Sequence, residues 1–165
     1  MKPDLSEHDL LVALLTVQSA LQRRGDALFQ AFGLTDAQFN ILNLIALAGG
    51  PMDQLTLTEH LLVGKSSVSI VLNRMVKAGL IRREEHPRDR RRVVLNLTRK
   101  GRELWRKITP RYQQGVREVF RALPRTRRAT FLDDLETIYS ALLRGGPESD
   151  TATLRETLRR HAELG

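Results

Sequence analysis

The sequence predicts a mainly α-helical fold with a small β wing, in which a central two-helix unit and its hairpin are carried between long helices from either end of the chain. Three features predict it. Residues 54–76 hold two short apolar runs at helical spacing on either side of Val63 and Gly64. Residues 80–97 hold two strand-like runs around an arginine-rich stretch. Residues 6–32 and 98–143 keep apolar residues three and four apart over far longer spans.

In chain order, residues 6–32 carry Leu10, Leu11, Leu14, Leu15, Val17, Leu21, Leu28 and Phe29 along a helix, which at 1.5 Å per residue reaches roughly 40 Å. A small domain cannot cover a helix of that length, so part of its apolar face must meet something else. Gly33 is its stop. Thr35 and Gln38 form a capping box ahead of Phe39, Leu42, Leu44, Ile45 and Leu47, a second helix ended by Gly49, Gly50 and Pro51. A short segment, one candidate for a third strand, leads on.

Residues 54–62 place Leu57 and Leu61 four apart, with Glu59 and His60 on the wet side. Gly64 supplies the sharp turn. Ser66 caps the next helix, whose inner residues are Val68, Val71, Leu72, Met75 and Val76 up to Gly79. Its other face carries Lys65, Ser67, Ser69, Ile70, Asn73, Arg74 and Lys77. Short hydroxyls at the start, then amide and guanidinium groups, suit the DNA major groove, where amides and Lys65 meet phosphates while Asn73 and Arg74 reach base edges or backbone. Ser66 can also serve the helix alone and touch nothing.

Residues 80–85 and 92–97 read as strands, with Val93, Leu95 and Leu97 alternating in the second. The six residues between them, His86 to Arg91, predict a protruding loop whose Arg88, Arg90 and Arg91 enter a narrow minor groove. Asp89 is placed to aim Arg91. Without the preceding helices, the same arginines would read as a solvated hairpin.

The ordered run Ser66-Ser67-Val68-Ser69, Leu72-x-Arg74-Met75, Gly79-Leu80-Ile81, Pro87-x-Asp89-Arg90-Arg91 and Leu97-Thr98-x-x-Gly101 resembles the multiple antibiotic resistance regulator (MarR) family of winged helix-turn-helix transcriptional regulators. The resemblance extends over residues 10–143 and departs at His86, where aspartate is usual. It implies a homodimeric repressor on a pseudo-palindromic double-stranded operator, and a small lipophilic or phenolic anion bound between the dimerisation helices and the wing domain. Phe39, Trp105 and Tyr112 are the aromatic candidates for that cleft. Each reads first as core, since aromatic residues at helical spacing usually pack.

Downstream, Thr98 caps a long helix through Leu123, with Leu104, Ile108, Tyr112, Val116, Val119 and Phe120 along one side and a kink or break expected at Pro110. Leu123-Pro124 opens another, with Phe131, Leu132, Leu135, Ile138, Tyr139 and Leu142, closed by Gly145-Gly146-Pro147. Thr153 and Glu156 form a further capping box; a short helix and a frayed charged terminus are both open. The expected division is 1–33 with 103–145 for dimerisation, 34–102 for the winged domain, and 146–165 for a tail. Surplus apolar surface on the terminal helices calls for an isologous dimer, with two recognition helices about 34–36 Å apart.

Charge points the same way. The chain has 165 residues and a net charge of +8, yet residues 53–102 hold twelve basic against five acidic residues while residues 1–52 hold three against five. A basic module on a near-neutral scaffold fits a polyanion. With no cysteine, disulfides, thiolate metal sites and cysteine redox sensing are excluded. No secretory pattern and no membrane-length apolar run is present, so the expectation is a cytoplasmic protein without membrane contact. Gly64-Lys65-Ser66 resembles the end of a phosphate-binding loop, but Glu59 stands where that motif needs glycine. His8, His60, His86 and His161 have no ligand-like spacing. The expectations are therefore no enzyme, no metal and no cofactor. The competing hypothesis is an effector-independent DNA-binding or architectural protein.

Overall fold

The computed structural model describes residues 5–61, 68–86, 89–145 and 153–162, with all side chains in its helices and strands except those of Arg90, Arg91, Arg160 and His161. Its elements are α1 (Glu7–Gln30), α2 (Asp36–Leu47), β1 (Met52–Asp53), α3 (Gln54–His60), α4 (Val68–Lys77), β2 (Ile81–His86), β3 (Asp89–Leu97), α5 (Arg99–Arg121), α6 (Arg128–Gly145) and α7 (Leu154–Ala162).

Local chemistry fixes where these elements start and stop. Ser6 and Asp9 close a capping box on α1, and Thr35 and Gln38 close another on α2. Asp53 caps α3 by accepting from the Leu55 and Thr56 amides at 2.9 and 3.3 Å. Past α4, Gly79 takes φ 67°, a conformation costly to any residue with a Cβ, and Leu80 N–H returns to the Met75 carbonyl. Thr98 links three pieces: its hydroxyl donates to the Gly79 carbonyl at 2.6 Å and accepts from the Gly101 amide at 3.0 Å. A Cβ on Gly101 would stand 2.0 Å from the Leu80 carbonyl oxygen. The Leu-Thr-x-x-Gly run is therefore where α5 crosses the base of the wing.

The sheet is antiparallel in the order β1-β3-β2, so the two-residue β1 is the third strand. Phe39, Ile41, Leu42, Leu44 and Ile45 make α2 the centre of the core, joined by Phe29 of α1, Leu57 of α3, Leu72 and Met75 of α4, Ile81 and Leu95 of the sheet and Ile108 of α5. Burying each of these side chains contributes about 1.5–3 kcal/mol. Among the described residues nothing comparable covers the outer helices: Leu10, Leu11, Leu14, Leu15 and Val17 of α1 and Phe131, Ile138 and Leu142 of α6 are exposed.

The structure corrects two expectations. The wing is not a six-residue loop: the strands run on to His86 and resume at Asp89, and those two residues pair across the ladder beyond an irregularity at Glu85/His86. Backbone pairing needs no apolar alternation, so charged residues on both faces hid it. The expected kink or break at Pro110 is not a break, since helix α5 runs on through that residue. Proline deprives only the Arg106 carbonyl of its helical donor, and Arg106 and Pro110 are both exposed, where solvent satisfies that oxygen.

A 3-10 turn, Arg125–Arg127, precedes α6, and the Arg128 guanidinium donates back to the Phe120 and Leu123 carbonyls. Thr153 and Glu156 close a capping box on α7. This helix lies against α3 and α6, with Arg155 bonded to Asp133 and its amide donating to Glu136. Among the described residues no helix is long and apolar enough to cross a membrane.

Candidate nucleic-acid interface and cleft

Helix α4 separates its two faces cleanly. Val68, Leu72 and Met75 are buried, while Ser69, Ile70, Asn73, Arg74 and Lys77 are exposed together on the opposite side. Ile70 is 57% exposed, an apolar side chain that no core residue claims. Of the other expected contacts, Lys65, Ser66, Ser67 and Arg88 lie outside the described residues. Arg90 and Arg91 belong to β3, with side chains outside the description; Asp89 is exposed on the same strand.

The base of the wing is tied down by polar bonds that sequence spacing did not reveal. Arg92, which follows the wing arginines on β3, turns toward the domain: its Nε donates to Asp53 Oδ2 at 2.9 Å, while Asp53 Oδ1 caps α3. The Arg92 bond foremost, with help from the α3 amides, holds the Asp53 carboxyl below the usual carboxylate range despite an opposing effect of burial. On the outer face of the hairpin Arg82 pairs with Glu84 at 2.7 Å, and Asn96 donates to Glu84 at 2.6 Å. On the other face Arg83, two residues beyond buried Ile81, reaches α4, and its Nη1 donates to Asn73 Oδ1 at 2.5 Å. Both side chains are exposed. Arg83 was missed because it is ten residues from Asn73 and on a different element. Strand period gives its face, but not its partner.

A cleft of about 690 Å³ opens between α1 and α5. Phe29 and Tyr112 supply aromatic wall, Leu21, Leu28, Val116 and Phe120 aliphatic and aromatic surface, and Arg24, Asp36, Arg111 and Glu118 charge. Arg24 is engaged with Glu118 at 2.6 Å, and the Arg111 guanidinium lies 5.2 Å over the Phe32 ring. Burial, then repulsion from Asp26, raises the Asp36 carboxyl; burial, then Asp36, raises the Tyr112 phenol. Of the three aromatic candidates only Tyr112 lines this cleft. Phe39 is fully buried behind it, stacked on Phe29 at 4.4 Å and tilted against Tyr112 at 5.0 Å. Trp105 is half-buried elsewhere and donates to Asn43 at 3.1 Å.

The chain is similar to known proteins in sequence and fold. A family model described as "MarR family" matches residues 32–92, α2 through most of the wing. The HTH-type transcriptional regulator FarR of Neisseria gonorrhoeae is 31% identical over 107 residues, covering 64% of this chain and 73% of its own. The crystal structure of AbsC, a MarR family transcriptional regulator from Streptomyces coelicolor, superposes with a TM-score of 0.72 at 30% identity, covering 86% of this chain and 98% of AbsC. The structure of NadR in complex with 4-hydroxyphenylacetate is similar at a TM-score of 0.64 and 27% identity, over 82% of this chain and 96% of NadR.

Proposed function

The chain belongs to the MarR family of transcriptional regulators, and from that premise we propose that it is a homodimeric repressor that occludes a promoter until a small molecule loosens its hold. The observation that carries this is the division of α4: three buried apolar residues seat it on the core while Ser69, Ile70, Asn73, Arg74 and Lys77 face outward beside the wing. A helix so mounted can enter a major groove without disturbing its own packing. By their place in the sequence, just before α4, Lys65, Ser66 and Ser67 are proposed to meet phosphates, and Arg88, Asp89, Arg90 and Arg91 are proposed as the wing's contact with the neighbouring minor groove.

The uncovered leucines of α1 and the apolar side of α6 support a dimer. Pairing them about a two-fold axis removes that surface from water and presents two α4 helices to one side of a duplex. The cleft between α1 and α5 suits an aromatic or lipophilic anion, with Phe29 and Tyr112 for its body and Arg111 for its charge. It opens between the two long helices α1 and α5, with Asp36 of α2 at its edge, so filling it would move those helices and shift the spacing of the two readers.

Salt dependence of operator binding tests this. If the dimer neutralises about six to ten phosphates, raising salt from about 50 to 200 mM weakens binding roughly 10³ to 10⁵-fold. A flat response contradicts it. Arg91→Ala weakens binding on A·T-rich flanks; unchanged affinity removes the wing from the mechanism. For the effector, 4-hydroxyphenylacetate is the first probe, and operator affinity that is unmoved by it and by related aromatic anions favours an effector-independent protein.

A further inference from the structure

We infer that Arg83 and Asn73 form a single reading unit that offers hydrogen-bond donors to the major groove and thereby selects guanine where Asn73 alone would select adenine. This rests on α4 being the recognition helix. Arginine can only donate, so the 2.5 Å contact between Arg83 Nη1 and the Asn73 amide fixes the amide's orientation: Oδ1 faces the wing and the amino group is left for DNA. An asparagine that reads adenine needs both ends of its amide, the oxygen accepting from N6 and the nitrogen donating to N7. Here a full positive charge already sits on the oxygen, and an incoming N6–H donor would be brought against it. Guanine presents two acceptors, N7 and O6, to the same edge. These match the free amino group of Asn73 and the remaining N–H groups of Arg83.

The placement is built by the fold. Buried Leu72 and Met75 set the register of α4, while buried Ile81 sets the face of β2 on which Arg83 stands. Arg83 and Asn73 are both exposed, so substituting either leaves the core intact.

Selection of binding sites from a randomised duplex pool tests the inference, using the full-length wild type, Asn73→Ala, Arg83→Ala and Arg83→Lys. The base pair whose preference disappears in Asn73→Ala identifies the position read. Wild type selects G·C there and loses roughly five- to a hundredfold in affinity when A·T replaces it. Arg83→Ala switches the preference to A·T, and Arg83→Lys, which still only donates, keeps G·C. The inference is overturned if wild type selects A·T at that position, if Arg83→Ala leaves the preference unchanged, or if Asn73→Ala alters no position. A wild-type protein that selects no DNA overturns the proposed function together with it, whereas selective binding with an unchanged Arg83→Ala profile overturns this inference alone.

Discussion

The winged domain buries its apolar residues, and the helices that flank it leave many of theirs exposed. Every buried apolar residue among the described ones lies between Phe29 and Ile108. Within those limits α2, α3, α4, the sheet and the near ends of α1 and α5 close one core. Outside them the same residue types recur at the same helical spacing, yet Leu15 is 55% exposed and Leu142 is 64% exposed. Periodicity marks which side of a helix is apolar, and only packing shows whether the chain itself covers that side. The winged domain thus covers its apolar side chains within one chain, whereas the flanking helices leave theirs open, and that open surface is what supports the proposed dimer.

The first way to break this comparison is to open the complete core. Phe39→Ala removes the ring stacked on Phe29 and touching Tyr112, and stability falls by about 3–5 kcal/mol in chemical denaturation. A loss below about 1 kcal/mol would mean the aromatic cluster carries little of the fold. Next comes the incomplete surface: Leu15→Asp or Ile138→Asp weakens self-association at least roughly tenfold by sedimentation, because a charge is taken out of water at the interface. The helical content of the single chain hardly changes, since both positions are exposed within it. Unaltered self-association would place the interface elsewhere.

A smaller effect sharpens the contrast inside the winged domain. Asp53→Ala removes the α3 cap, costing about 1 kcal/mol at neutral pH, and releases Arg92 of β3. The folded carboxyl titrates below its unfolded value of about 3.9, so its contribution is fully present above that pH and is lost as pH falls through the lower folded value. Wild type and Asp53→Ala therefore converge in acid, and a stability gap that widened there would reverse the assignment. The smallest effect is local: Thr153→Ala removes the α7 cap, speeding amide exchange across Leu154–Ala162 while the global unfolding midpoint stays put. A shift of that midpoint would make α7 part of the cooperative core.

Most of what proved legible in the sequence is local chemistry. Thr35, Thr98 and Thr153 announce helix starts because a capping hydroxyl answers to an amide within three residues. Gly33 and Gly79 announce stops because both take a positive φ. What was hidden depends on residues that meet only after folding. Arg92 finds Asp53 from 39 positions away, Trp105 finds Asn43 from 62, and Arg83 finds Asn73 across two elements. The length of the wing was hidden for another reason, since a ladder of charged residues pairs through its backbone and leaves no alternation to read. In the candidate interface the outward face of α4 was therefore visible as a pattern, while the wing residue that orients Asn73 was not.

The central claim is that two copies, joined through the uncovered helices, hold two reading heads on one face of a duplex. The most direct measurement is the mass of the complex on a selected operator, taken with its footprint. The account predicts two chains per duplex and two protected half-sites centred about 34–36 Å apart. One chain per duplex, or a single unpaired half-site, would contradict it.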